Sequence, residues 1–225
     1  MSHIKKVVLP KIGPISVVCK TKRDISDETS LGKRDDESLG WLYWNRIWPS
    51  SVALSEWLIR EFFPVKLAGK KILEIGCGTG LAGVVAARLG GITRFSDLVP
   101  VTLEAVKETC RMNHINHFEA GTLDWFEKIE SNGSKFDMIL GSEIFYDVKI
   151  LAGIAQILEK MLAAGGTGIF CDPNRLGLDT VERAFQRNFI LSVEKIPLNR
   201  LERKGHRIEK MATLYQLTPK VFSTF

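Results

Sequence analysis

Cysteine is sparse and unpaired in this sequence. Cys19, Cys77, Cys110 and Cys171 are scattered and form no C-x-x-C. That spacing argues against zinc and against a disulfide framework, and it suits a reducing compartment. No metal is expected. Long apolar runs are missing too: none approaches the roughly 18 residues that a membrane span needs. The opening stretch "MSHIKKVVLPKIGPISVVCK" lacks a long apolar core and a small-residue cleavage site, and Pro10, Gly13 and Pro14 break any amphipathic transit helix. The expected location is cytoplasmic. Strong basicity is absent as well. The net charge is +5, with no basic stripe interleaved with aromatics, so neither nucleic acid nor membrane is an expected partner. Histidine is scarce: His3, His114, His117 and His206 all lie outside the predicted strand ends. Cys77 therefore has no base placed to activate it, and a hydrolase reading has little support.

What remains is ordinary for a soluble domain: 225 residues, 45% apolar and 25% charged. That is enough chain for one α/β domain with a sizeable core. Residues 15–20 read as a short strand, and 21–40 as a polar, charged loop. Pro49, Ser50 and Ser51 look like a helix start, with Val52, Leu54, Trp57, Leu58 and Phe62 on one apolar face. Strand and helix then alternate: strands over 70–76, 92–97, 136–143 and 166–173, and helices over 81–90, 101–115, 150–164 and 180–189. A further strand is expected before Asp124. Such alternation means βαβ units and a mostly parallel sheet. The runs 190–198 and 211–219 have no helix between them and should pair antiparallel.

The most informative stretch is "LEIGCGTG" (73–80), which follows the first core strand and opens a helix. Glycines there let backbone approach a ligand closely, and the helix N-terminus adds unpaired N–H groups. A plain turn would need only one of them. The dinucleotide fingerprint is G-x-G-x-x-G; here Gly76, Gly78 and Gly80 give G-x-G-x-G, with Gly83 three residues on. Glu74 is the better discriminator. A carboxylate near the loop suits a cationic ligand and repels a pyrophosphate. Asp97 closes the second core strand, nineteen residues after Gly78, where an acid can take two ribose hydroxyls or simply cap the next helix.

The pattern E-x-G-x-G-x-G resembles the first motif of the seven-strand S-adenosylmethionine-dependent methyltransferases. "YWNRIWPSSVALSEWL" (43–58), "LDWF" (123–126) and "GSEIFYD" (141–147) are similar, in order and context, to the protein lysine methyltransferases that carry D-x-x-Y after the fourth strand. "FCDPNR" (170–175) resembles the matching segment of the electron transfer flavoprotein β-subunit lysine methyltransferases. The resemblance covers about 41–219. It departs at Glu143, where the motif usually has Asp, giving E-x-x-Y with Tyr146.

The resemblance implies a Rossmann-like fold: a doubly wound, mostly parallel seven-stranded sheet with a C-terminal antiparallel hairpin. It places the methyltransferase domain over 41–225, with 1–40 as an N-terminal extension. It implies S-adenosylmethionine as cofactor, S-adenosylhomocysteine as product, and a protein substrate. The oligomeric state is left open, a monomer being compatible. Cofactor contacts fall on Trp48, Glu74, Gly76, Gly78, Gly80, Asp97, Leu98, Asp124, Trp125 and Ser142, and the catalytic pair is Glu143 with Tyr146.

Each of these positions also has a plain reading. Trp48 could wall the cofactor's methionine end or pack with Trp41, Trp44 and Trp57. Asp124 and Trp125 could hold adenine or close a hairpin. Glu143 and Tyr146 could project together to hold an amine, or cap and pack. Asp172 and Arg175 could line an acceptor channel or pair with each other. The acceptor amine has to be neutral, and lysine's reference pKa is roughly 10.4. Glu143 alone would raise it, whereas a sulfonium and burial would lower it. Glu143 is therefore assigned to binding and orientation, with the proton leaving through water. A small-molecule N-methyltransferase of the nicotinamide type and a cofactor-binding scaffold without catalysis remain as alternatives.

Overall fold

The structure is a computed structural model and describes residues 3–20, 44–127, 129, 133, 135–198 and 210–220. The expected charged loop over 21–40, together with Trp41, lies outside the described residues. In chain order the elements are β1 (His3–Leu9), β2 (Gly13–Cys19), α1 (Pro49–Phe62), β3 (Lys71–Ile75), α2 (Leu81–Arg88), β4 (Ile92–Asp97), α3 (Pro100–Met112), β5 (Phe118–Thr122), β6 (Phe136–Ser142), α4 (Val148–Met161), β7 (Leu162–Asp172), α5 (Leu178–Phe185), β8 (Phe189–Leu198) and β9 (Lys210–Pro219).

Seven strands form one sheet in the order β5-β4-β3-β6-β7-β9-β8. The first five in that order run parallel. β9 is antiparallel to both β7 and β8. The expected doubly wound sheet with a terminal hairpin is therefore present. From β3 the chain winds outward through β4 and β5, then returns to β6 and winds the other way. The switch lies between β3 and β6, and ligands of open α/β sheets bind in the crevice beyond the strand ends there.

Side-chain alternation along β3 divides the core. Leu73 and Ile75 pack on one face with Ile154 and Ile157 of α4 and Phe185 of α5. Ile72 packs on the other with Leu54 and Trp57 of α1, Val84 and Val85 of α2, and Leu103 and Val106 of α3. Helix α1 begins where it was expected: Trp48 is extended and Pro49 takes the first helical turn, where its missing N–H costs nothing. Among the described residues no helix is long and apolar enough to cross a membrane.

Several boundaries differ from the sequence expectation: α3 ends at Met112 rather than 115, α5 spans Leu178–Phe185 rather than 180–189, and the junction of α4 with β7 moves as well. Helix α4 spans 148–161 rather than 150–164, because the Asp147 side chain caps Lys149 N–H and Leu162 turns extended to pair with Phe136. Strand β7 accordingly starts at Leu162, with the register shifted between its pairings at Phe136 and Met138.

Strand β1 was not anticipated. Its outward residues Ile4, Lys6 and Val8 are exposed, so the strand lacks a clean apolar alternation. It forms a hairpin with β2, whose Ile15 and Val17 are fully buried in the α1–α3 layer. The free edge of β2 is closed by helix side chains. Ser16 N–H donates to Asn113 Oδ1 (3.0 Å), Asn113 Nδ2 donates back to Ser16 O (2.7 Å), and Val18 N–H donates to Thr109 Oγ1 (2.9 Å). Asn113→Ala strands both Ser16 groups and should lower stability by about 1–3 kcal/mol, measured as a shifted urea midpoint at unchanged slope.

Candidate active site

The crevice at the β3/β6 switch gathers five segments: the glycine loop 76–80, the end of β4 at Asp97, the turn at 124–126, the turn after β6 at 143–147, and the turn after β7 at 172–175. In the loop, Gly76, Gly78 and Gly80 have φ of +55°, +49° and +72°, the left-handed region that glycine tolerates best. Neighbours also bar a side chain. A Cβ on Gly76 would lie 2.8 Å from Trp125 Cζ2, and one on Gly78 would lie 3.0 Å from the Trp44 carbonyl oxygen. The segment leading into α1 thus passes beside the loop and itself crowds Gly78. Asn45 staples this segment to the end of β2, its Oδ1 accepting from Lys20 N–H at 2.8 Å.

Asp97 is buried, and both of its oxygens are held. Oδ2 accepts from Gly78 N–H at 2.9 Å and Oδ1 from Val99 N–H at 3.0 Å. It therefore ties loop to strand end and also caps the turn into α3. Burial pushes its carboxyl up, while the N–H groups of Gly78, Val99 and Leu98 pull it down. A carboxylate oxygen has two acceptor sites, so each still has one to offer a hydroxyl. Leu98, beside it, is partly exposed.

Glu74 departs from expectation. It shares its β3 face with Ile72 and points into the helix layer, 1% exposed, with Oε2 accepting from Gly83 N–H at 2.9 Å. A Cβ on Gly83 would sit 2.5 Å from that oxygen and 2.4 Å from Phe95, so the glycine admits the carboxyl. Glu74 braces the first turn of α2 and does not reach the crevice. Burial pushes its carboxyl up to about 8, against the lowering by Gly83 N–H, with Asp97 adding a further rise. An acid raised on folding stabilises fully below its unfolded pKa of about 4.3, and that contribution is lost as pH climbs through the folded value. Wild-type stability should therefore fall between about pH 5 and pH 8, and Glu74→Gln should flatten that slope in urea titrations at several pH values.

Trp125 lies across Gly76, its backbone carbonyl resting on the helix α4 at Gly153, where a Cβ would come within 2.4 Å. Its indole Nε1 is buried and has no hydrogen-bond partner among the described residues. Buried donors are rarely left unpaired, so this one points to a missing acceptor. Asp124, half-buried, turns Oδ1 onto Phe126 N–H at 2.9 Å. Ser142 closes β6 opposite Cys171 and is half-buried.

The two residues expected to be catalytic lie in different surroundings. Glu143 stands at φ +57°, and its side chain is only 6% exposed. Oε1 accepts from Ser50 N–H in the first turn of α1 at 3.1 Å, and Oε2 accepts from Arg175 Nη2. Tyr146 is 61% exposed at the rim. The two thus differ in burial, and Phe145, next to Tyr146, anchors the turn in the core. Its ring packs 5.3 Å from Phe170 and 5.2 Å from Tyr215.

Arg175 was expected either to line a channel or to pair with Asp172. It pairs: Nη1 donates to Asp172 Oδ2 at 3.0 Å, and its own N–H donates to Asp172 Oδ1 at 2.9 Å. It also spans to Glu143, a link that sequence reasoning missed. Trp48, half-buried, lies under two guanidiniums, Arg46 at 4.8 Å and Arg175 at 5.9 Å from its ring centre.

The residues fit S-adenosylmethionine. Asp97 offers acceptors, Trp125 offers an unpaired donor, and the glycine loop lies between them. Known proteins are similar to this chain over much of its length. The chain is 32% identical over 148 residues to the histone-arginine methyltransferase METTL23 of Xenopus laevis, covering 62% of each. It is 33% identical over 136 residues to the electron transfer flavoprotein β-subunit lysine methyltransferase of Danio rerio, covering 59% of this chain and 50% of that one. The chain thus spans about half to two thirds of the length of these relatives. Among solved structures, the 16S rRNA methyltransferase RsmC of Thermus thermophilus superposes with a TM-score of 0.63 at 13% identity, covering 96% of this chain and 50% of that one. TrmN of the same organism gives 0.54 at 16% identity, covering 74% and 48%. These two likenesses speak for the fold alone. A family model described as lysine methyltransferase matches residues 28–195, and the chain belongs to that family.

Proposed function

We propose that the chain binds S-adenosylmethionine in the β3/β6 crevice and methylates an amine nitrogen of a protein substrate, a lysine side chain first of all, in the cytoplasm. The observation that carries the reading is the buried Asp97 carboxylate, fixed to the glycine loop through Gly78 N–H at 2.9 Å. Asp97 would take the ribose hydroxyls, Trp125 and Leu98 would flank the adenine with Asp124 at its edge, and Trp48 and Ser142 would border the methionine end. When bound, the cofactor supplies a methyl carbon on a cationic sulfonium, which an amine lone pair displaces while the C–S electron pair stays on sulfur. The protein's part is to position the amine and to provide the field. Glu143 at the end of β6 would orient the acceptor, and Tyr146 at the rim would guide its stem. The four free cysteines are all buried, which suits a reducing compartment.

Radiolabelled S-adenosylmethionine, incubated with the protein and a cell lysate, tests this directly. Label should appear in a protein band on a gel and should be recovered as methyllysine after hydrolysis. Label found only in the small-molecule fraction would instead favour the nicotinamide-type alternative. Cofactor binding without any label transfer would favour the scaffold.

A further inference from the structure

We propose that Arg175 occupies the cation seat on Glu143, so that the acceptor amine is admitted as the neutral free base; this rests on the function proposed above. A carboxylate alone in an acceptor site holds an amine as its ammonium, which has no lone pair to attack with. Glu143 is not alone. Its Oε2 carries the Arg175 guanidinium and its Oε1 the Ser50 N–H, at the positive end of α1. Arg175 is held in that place from three further sides: Asp172 Oδ2 at 3.0 Å, the Glu143 carbonyl at 3.4 Å, and the Trp48 ring. The asparagine of the same turn, Asn174, is pinned in turn by Tyr215 Oη at 2.9 Å. An arriving ammonium would meet a guanidinium already in place, whereas a neutral amine would not be repelled. Arg175 is thus a positioning residue, setting the protonation state of the group that reacts.

The groups around Glu143 leave the relevant pH range to the acceptor. Arg175 and Arg46 both lie over the Trp48 ring. From β7, burial pushes the Cys171 thiol far above its ordinary value, and from β9 it pushes Tyr215 up to about 12. Asp172 is raised by burial and lowered by Arg175. Glu74, in the neighbouring strand β3, is turned away to Gly83.

The test uses n-butylamine as the probe, titrated calorimetrically into the full chain at pH 7, 8 and 9 with S-adenosylhomocysteine present. If the free base is the bound species, wild-type affinity should rise about tenfold per pH unit, because the neutral fraction does so below a pKa of roughly 10.4. Arg175→Gln vacates the seat; its affinity at pH 7 should exceed wild type by at least about tenfold and should be nearly flat with pH. Arg175→Lys keeps the charge and should keep the wild-type slope, which separates charge from a loosened turn. A flat wild-type profile, an unchanged slope in Arg175→Gln, or no amine binding in either protein would each overturn the proposal. S-Adenosylhomocysteine affinity, measured first in the same cell, reports separately on the cofactor: its absence beside the expected amine profiles would reject the cofactor reading and leave the seat on Glu143 standing.

Discussion

Glu143→Gln should cut turnover with a protein acceptor roughly 10- to 150-fold, from the 1.5–3 kcal/mol that a charge-assisted hydrogen bond contributes. Positive charge develops on the acceptor nitrogen as the new bond forms, so a carboxylate beside it acts mainly in the transition state. The glutamine keeps an oxygen to accept from Ser50 N–H, as Glu143 Oε1 does at 3.1 Å, so the start of α1 should hold. Its amide nitrogen is a donor facing Arg175, also a donor, and that guanidinium should fall back on Asp172. The loss should therefore appear in kcat, with cofactor affinity changed by less than about threefold. Tyr146→Phe, at an exposed position, should act in the same direction and more weakly. Full turnover in Glu143→Gln would remove the carboxylate from the acceptor site. Collapsed cofactor affinity would instead move Glu143 into the methionine pocket.

Asp97→Ala should weaken S-adenosylmethionine binding by roughly 10- to 100-fold, as expected when two hydroxyls in a dry site lose their acceptor. The same change strands Gly78 N–H and Val99 N–H, which Asp97 now holds at 2.9 and 3.0 Å. Some affinity could thus be lost through a disordered loop. Asp97→Asn helps to separate the two causes: its remaining oxygen can still accept from Gly78 N–H, while its amide nitrogen replaces the acceptor of Val99 N–H and presents a donor to the ribose. Both variants should bind poorly by calorimetry, and Asp97→Ala, which strands both N–H groups, should lose more stability in urea than Asp97→Asn, which strands one. An effect below about threefold in both would reduce Asp97 to a structural tie between the loop and the turn into α3.

Much of this arrangement is legible in the chain because local pattern and global fold agree. The run "KKILEIG" can only be a buried strand, and three left-handed positions after it demand glycine whatever the ligand. The sequence has no helical run between the strand-like stretches 190–198 and 211–219, which foretells the antiparallel β8–β9 pair. Glu74 was misplaced although a signal for it existed. Two-residue alternation puts it on the face of Ile72, and the glycine at 83, in the first turn of α2, marks the space that its carboxyl needs. Strand β1 was obscured by exposure, since only Val7 and Leu9 turn inward. The web joining Ser50, Glu143 and Arg175 had no sequence signal at all. Its members stand 93 and 32 residues apart, and only the packing of α1 onto the sheet face brings them together.

The central claim is that the cofactor sits at the β3/β6 crevice against Trp125. Nitrogen-15 NMR of the tryptophan indoles tests it most directly, with the Trp125 signal assigned through Trp125→Phe. Trp57 serves as an internal control, because its Nε1–H is already bonded to Glu194 at 3.1 Å, whereas Trp125 Nε1–H has no partner among the described residues. Saturation with S-adenosylhomocysteine should move the Trp125 indole resonance and leave that of Trp57 in place. A Trp125 resonance that stays fixed under saturating S-adenosylhomocysteine would contradict the assignment of this crevice.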